Sequence, residues 1–96
     1  MKRDKFTCKT DANQGDIVKA LRKHGCSVTP THMVGRGYPD LSVGYKGKNI
    51  LLEVKMIGKG LNKREQAWFQ DWKGQVAIAY TPDEAIKITE ALCSSK

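Results

Sequence analysis

Residues 40–56 alternate between apolar and polar side chains on both sides of a short turn, and this pattern constrains the fold most. In the segment 40–45, one face carries the apolar side chains Leu41, Val43 and Tyr45. In the segment 49–56, one face carries Ile50, Leu52, Val54 and Met56. The turn between them is Lys46-Gly47-Lys48. Because side chains alternate between the two faces of a strand, the pattern predicts a β-hairpin with one apolar and one polar face.

The hairpin is flanked by segments with helical and strand patterns. Helices are predicted over residues 11–24, 62–73 and 81–93, the first ended by glycine and the others begun by a capping residue. An irregular or edge strand is predicted within 26–33, and a short buried strand over 75–80. The predicted order is α-β-β-β-α-β-α, which indicates an α/β or α+β domain with a mixed sheet. Trp68 and Trp72 fall on the apolar stripe of the second helix, where we expect core packing rather than base stacking.

Length and hydropathy bound the architecture. The chain has 96 residues, which predicts one domain over 11–96, preceded by a flexible basic arm over 1–10. No apolar run approaches the roughly 20 residues of a membrane-spanning helix, and no apolar segment follows the basic residues at the N-terminus. Three scattered cysteines form no C-x-x-C pair, so a zinc site is not expected. These features predict an intracellular, cytoplasmic protein.

Charge is unevenly distributed along the chain. The formal net charge is +7, and residues 1–64 hold 14 basic and 5 acidic side chains. A basic excess confined to one part of a domain is typical of nucleic-acid binding. A net charge far from zero also favours solubility, so charge alone leaves both interpretations open.

Three polar residues stand where the predicted hairpin brings its strands together. Glu53 and Lys55 lie two apart and therefore on one face, and strand pairing places Asp40 within reach of them. Carboxylate oxygens suit Mg²⁺ or Mn²⁺, which can neutralise charge on a phosphoryl oxygen and activate a water. Taken singly, Asp40 could be a turn residue, and Glu53 and Lys55 could be an exposed ion pair. Together they predict metal-dependent phosphodiester hydrolysis.

Pro39-Asp40 followed by Glu53-Val54-Lys55 matches the P-D…(D/E)-x-K motif of the PD-(D/E)XK nuclease superfamily. With the glycine-rich run 35–37, the helix containing Gln66 and the run 81–85, the chain resembles the virus-type replication-repair nuclease (VRR-NUC) family over residues 11–92. The resemblance is to a stand-alone, phage-type member. It implies a restriction-endonuclease-like core, a mixed β-sheet flanked by helices, and Mg²⁺ or Mn²⁺ as cofactor.

The resemblance also implies roles for individual residues. Asp40 and Glu53 would be metal ligands, together with the backbone carbonyl of Val54. Lys55 would be the catalytic lysine, and Gln66 would support the site. Gln14 matches a polar position of the first helix. Relatives often carry an acidic residue early in that helix, where this chain offers Asp11 or Asp16, and the metal ligand there stays open.

The predicted partner is DNA. Six basic residues in loops around the predicted carboxylates are expected to contact phosphates: Arg36, Lys46, Lys48, Lys59, Lys63 and Arg64. Since one small domain holds one site, we expect a homodimer that cuts branched DNA in the manner of a Holliday-junction resolvase. Two alternatives remain: a non-catalytic nucleic-acid-binding module, and a phage regulatory protein on the same fold.

Overall fold

A computed structural model describes residues 12–94. Its elements are α1 (Gln14–Lys23), β1 (Ser27–Pro30), β2 (Leu41–Tyr45), β3 (Lys48–Val54), α2 (Lys63–Asp71), β4 (Val76–Ala79) and α3 (Pro82–Cys93), with a 3-10 turn at His32–Val34. The sheet order is β1-β2-β3-β4, antiparallel except for the parallel pair β3–β4. The predicted element order and mixed α/β sheet are therefore confirmed. The predicted arm at residues 1–10, Cys8 and Asp11 lie outside the described residues.

The β2–β3 hairpin closes more tightly than the sequence pattern predicted. Tyr45 pairs directly with Lys48, so only Lys46 and Gly47 form the turn. Both have positive φ, 51° and 81°, as a two-residue turn requires when its twist matches that of the strands. The tighter turn moves Lys48 from the loop into β3.

The core lies on one face of the sheet, beneath α1 and α3. That face carries the hairpin residues Leu41, Val43, Ile50, Leu52 and Val54, which are all buried. Because side chains alternate along a strand, the neighbouring residues, Glu53 among them, point to the opposite face. The apolar face predicted from the alternation is confirmed except at Met56, which follows the end of β3 and is exposed.

Capping explains where two helices begin. Asn62 accepts a hydrogen bond from the Glu65 backbone N–H at 2.8 Å, and the Glu65 carboxylate accepts from the Asn62 N–H at 2.9 Å. Thr81 caps α3 by accepting from the Glu84 N–H, and Pro82 is the first helical residue. Such caps satisfy N–H groups that have no partner inside the helix.

The expectation that Trp68 and Trp72 belong to the core was wrong. No residue of α2 is fully buried, and neither tryptophan joins the core cluster. The reason is topological, because α1 and α3 already occupy the apolar face of the sheet. The helix α2 connects the parallel strands β3 and β4, and it contacts the opposite side through the ion pair between Glu65 and Lys55. Its stripe therefore remains at the surface.

Two cysteines lie buried within the described part of the chain. Cys26 and Cys93 are free and buried, as expected of small apolar groups, and burial raises the pKa of both thiols. Within residues 12–94, no helix is long and apolar enough to cross a membrane.

The glycine turn before β2 is fitted against α2, and this predicts a position-specific effect of substitution. Gly37 has a φ of 86°, and a Cβ placed there would lie 2.9 Å from the Arg64 carbonyl oxygen and 3.1 Å from Trp68 Cβ. Gly37→Ala should therefore lower the free energy of unfolding by about 2 kcal/mol through backbone strain and this clash. Chemical denaturation measures the effect.

Gly58→Ala is the matched control, because Gly58 also has positive φ but a Cβ added to it would meet no atom within 4 Å. It should cost only the conformational part, about 1 kcal/mol. Equal costs at the two positions would show that the turn is not packed against α2.

Candidate functional site

The predicted carboxylates meet at the end of the β2–β3 ladder. Leu41 pairs with Leu52, so one further step of the register sets Asp40 opposite Glu53. There a side-chain hydrogen bond takes the place of a backbone hydrogen bond between the strands, because Asp40 Oδ2 accepts from the Val54 N–H at 2.8 Å. Opposed side chains have Cβ atoms only about 5 Å apart. The structure thus brings Asp40 and Glu53 together on the face away from the core.

Val54 presents its backbone to the same place. Leu51 and Lys55 donate their backbone N–H groups to β4, at Gln75 and Ala79. Because N–H and C=O groups of successive strand residues point to opposite sides, those of Val54 point towards β2 and Asp40. The Val54 carbonyl, which the sequence resemblance predicts to be a metal ligand, therefore lies on the side of the strand where the carboxylates meet.

Glu53 is an unusual side chain for a buried strand position. It is only 3% exposed, and its Oε1 is buried without a hydrogen-bond partner. Burial, the negative charge of Asp40 and a carboxyl–carboxyl hydrogen bond with Glu65 raise the pKa of Glu53 to about 9, although Lys55 opposes the shift. Unless a further cation binds in addition to Lys55, the protonated, neutral form of the Glu53 carboxyl is therefore favoured.

Lys55 links the sheet to α2. Its Nζ lies 3.7 Å from Glu53 Oε2 and 2.8 Å from Glu65 Oε1. All three side chains are mostly shielded from water, so their interactions are screened less than surface pairs. Lys55 therefore lies between Glu53 and a carboxylate that the sequence pattern had not indicated, Glu65.

Glu65 was missed in the sequence analysis. Burial would raise the pKa of its carboxyl, but hydrogen bonds from Lys55 and from the Asn62 N–H outweigh this, and the pKa is lowered. The signal was present: Asn62 and Glu65 have the spacing of a capping box, which places Glu65 in the first turn of the helix that follows β3. The capping box thereby holds a third carboxylate at the site.

The two glutamines differ in their placement. Gln66 is exposed, and its Nε2 donates to the Leu61 carbonyl at 2.9 Å, a contact between α2 and the loop that precedes it. Gln14 is buried at the start of α1, and its Oε1 has no hydrogen-bond partner. Asp16 is exposed on α1.

Asn13 fixes the start of α1 beside the site. Its Nδ2 donates to the carbonyls of Lys55, at 3.2 Å, and Tyr80, at 2.7 Å, just beyond the ends of β3 and β4. The N-terminal end of α1, with Gln14, is therefore held at the edge of the sheet where the carboxylates lie.

The six basic residues do not form one patch. Arg36 and Arg64 line a common concavity, while Lys59 and Lys63 belong to the loop before α2 and its first residue. Lys46 and Lys48 lie at the opposite end of the hairpin, about 20 Å from Glu53 at the rise of a β-strand. The expectation that all six surround the carboxylates was wrong, because the hairpin turn and the site are at opposite ends of β3.

The donor set fits a hard divalent cation. Asp40 and Glu53 supply two carboxylates, Val54 a carbonyl, and the unsatisfied Oε1 of Glu53 marks a buried acceptor that a cation would neutralise. Within residues 12–94, no group of three or more His, Cys, Asp or Glu side chains is arranged as a metal site. A site here would thus use two carboxylates and leave its other positions to the carbonyl, water and substrate.

The raised pKa of Glu53 predicts how stability depends on pH. With chelator present, the folded state holds a proton on Glu53 from its unfolded pKa of about 4.5 up to about 9, while the unfolded state has lost it. The folded state then binds more protons, so its stability falls as pH rises through this window, by up to about 1.4 kcal/mol per pH unit. The lowered pKa of Glu65 acts only at more acidic pH.

Glu53→Gln should remove this slope and raise the free energy of unfolding at pH 8, because the amide needs no proton. Urea denaturation from pH 5 to pH 8 in EDTA measures both effects. Glu84→Gln, in the capping turn of α3, is the control and should keep the slope. A wild-type stability that is flat or rises over this range would contradict the buried-carboxyl assignment.

Comparisons with known proteins leave the site to be interpreted from its own chemistry. No protein family, no curated protein and no solved structure matches the chain. Function must therefore be argued from the geometry of specific residues, since a fold alone does not determine it.

Proposed function

We propose that this protein is a metal-dependent, structure-selective DNA endonuclease built on a PD-(D/E)XK core of the VRR-NUC type. The observation that carries the proposal is the convergence of Asp40, Glu53 and Lys55 on one sheet face. Asp40 and Glu53 belong to different arms of the hairpin, and the burial of Glu53 opposite a second carboxylate disfavours its ionised form unless a cation is present. That destabilising arrangement is better explained by a binding role than by folding.

Each residue has a distinct role in this proposal. Asp40, Glu53 and the Val54 carbonyl would hold Mg²⁺ or Mn²⁺. The ion, when bound, supplies charge neutralisation at the scissile phosphate and lowers the pKa of a water. Lys55 provides a point cation whose direction is set by Glu65, so that its ammonium faces the site. Gln14, at the start of α1, and Gln66, on α2, would support this arrangement.

Basic residues near the site would position the DNA backbone. Arg36, Lys59, Lys63 and Arg64 lie on the loops and helix that border the carboxylates. Phosphate contacts of this kind fix orientation without reading sequence. The sequence pattern predicts no helix for reading base sequence, so selectivity for DNA structure is proposed.

Cleavage of four-way junctions by a homodimer remains a prediction that accompanies the proposal. Two cuts related by a two-fold axis require two sites, and each chain supplies one. Light scattering distinguishes a dimer from a chain of 10.7 kDa. The basic residues also suit the two alternatives, a non-catalytic DNA-binding module and a phage regulatory protein.

Conservative variants test the reaction. Asp40→Asn, Glu53→Gln and Lys55→Met should each reduce cleavage by at least about 100-fold, because each removes a charge that acts on the phosphate or the cation. The assay uses purified protein with linear duplex, flap and four-way DNA in Mn²⁺, Mg²⁺ or EDTA. Lys87→Met, on the exposed surface of α3, is the charge-matched control and should cut at the wild-type rate.

Wild-type protein that binds DNA but cuts none of these substrates in either metal would refute the nuclease and favour the binding module. Failure to bind DNA at low salt would favour the regulatory protein. Cleavage that persists in EDTA would remove the metal from the proposal.

The role of Glu65 predicts a contrast between two capping glutamates. Glu65→Gln should lower the cleavage rate about 10- to 100-fold, since Lys55 loses the charge that directs it. Glu84 has the same position in the first turn of α3, where its carboxylate accepts from the Tyr80 N–H rather than holding a lysine of the site. Glu84→Gln should therefore leave the rate unchanged, and equal losses would show that Glu65 acts only as a cap.

A further inference from the structure

Three aromatic side chains form a surface that neither the core nor the carboxylate site uses. Trp68 and Trp72 stack with ring centroids 4.6 Å apart and planes 18° from parallel. Tyr38 meets both indoles edge-on, at 5.3 and 6.2 Å. Trp72 remains 40% exposed. We call Tyr38, Trp68 and Trp72 the aromatic platform.

The platform is held rigidly by the contact between the glycine turn and α2. Gly37 approaches the Arg64 carbonyl so closely that a Cβ would lie 2.9 Å from its oxygen. The same turn positions Tyr38 against both tryptophans, which lie one turn apart at the C-terminal end of α2. Because the rings pack on one another without a ligand, stacking on them should cost little conformational entropy.

Two arginines border the exposed edge of the platform. Arg36 and Arg64 line a concavity of about 310 Å³ together with Trp68, Trp72, Ala67 and Asp71. Arg36 has a positive φ of 59°, an uncommon conformation for a residue other than glycine. Guanidinium groups stack on planar rings and bind phosphate oxygens in a fork geometry. The concavity therefore brings indole rings and phosphate-binding groups side by side.

We propose that the aromatic platform binds an unpaired nucleotide of single-stranded DNA, its base stacked on Trp72 and its phosphates held by Arg36 and Arg64. Where it concerns cleavage, this inference rests on the proposed function. It adds the class of DNA that the site would cut. Arg64 directly precedes Glu65, and Tyr38 lies two residues before Asp40, so the platform adjoins the carboxylate site. The DNA cut would be branched DNA with an unpaired base at or beside the branch point.

A second copy of the chain fits this surface less well. The lining carries two arginines against one aspartate, so a two-fold related copy would bring like charges together. A stable protein interface buries about 800 Å² of surface on each partner. The concavity is a local feature whose volume of about 310 Å³ is at the small end of the roughly 300–1,000 Å³ range of ligand sites. Its size suits one nucleotide rather than a protein surface.

Tryptophan fluorescence tests the inference directly, because Trp68 and Trp72 are the only tryptophans of the chain. A single-stranded oligothymidylate, titrated in EDTA so that no cleavage occurs, should quench the emission, and a blunt duplex of equal length should not. Trp72→Leu should weaken oligothymidylate binding about 5- to 150-fold and leave duplex binding unchanged. Trp72→Phe, which keeps an aromatic ring, should lose less.

A second variant covers the case in which Trp72→Leu disturbs the fold. Arg64→Ala, at an exposed position, should lower oligothymidylate affinity and flatten the dependence of log affinity on log salt by about 0.7. Wild-type affinity in both Trp72→Leu and Arg64→Ala would overturn the inference. So would equal quenching by duplex and single strand, or emission that changes on dilution of the protein alone, which would make the platform an interface between copies.

The two proposals fail separately. Oligothymidylate affinity that falls in both Trp72→Leu and Arg64→Ala, in a protein that cuts no DNA, would support the platform and refute the nuclease. Cleavage that depends on Glu53, with single-strand binding indifferent to Trp72, would support the nuclease and refute the platform.

Discussion

The structure depends on one costly placement, the burial of the Glu53 carboxyl opposite Asp40. Two carboxyl groups at adjacent positions of paired strands repel each other when ionised, and burial removes the water that would screen them. Lys55 compensates part of this charge, but it is shared with Glu65 at the shorter distance of 2.8 Å. Burial of the Glu53 carboxyl beside Asp40 is the physical reason for proposing a cation there.

Each of the surrounding helices and strands has one of its two ends at this place. β2 begins immediately after Asp40, β3 ends at Val54, and Asn13 ties the start of α1 to the carbonyls that follow β3 and β4. The capping box of α2 sets Glu65 beside Lys55. The ends and caps of these helices and strands, whose backbone groups need hydrogen-bond partners, therefore also fix the orientation of the charged groups. Rigid support of this kind is what a catalytic site requires.

Alternation along the strands predicted the hairpin, its buried face and the meeting of Asp40 with Glu53, because period-two patterning is local and strand pairing follows from it. The N-caps Asn62 and Thr81 were likewise local signals. Glu65 was missed because its role depends on where α2 lies relative to Lys55, a tertiary relation. Trp68 and Trp72 were misplaced because an apolar stripe marks a face of a helix without telling what covers it. Lys46 and Lys48 were grouped with the site because distance along a strand was not considered.

The central claim is that the buried carboxylate pair is a cation site, and calorimetric titration of the metal-free protein with Mn²⁺ tests it most directly. The account predicts saturable binding at one site per chain in wild type, with binding lost in Glu53→Gln and retained in Glu84→Gln. A wild-type protein that binds no Mn²⁺, or a Glu53→Gln variant that binds it as tightly as wild type, would contradict the account.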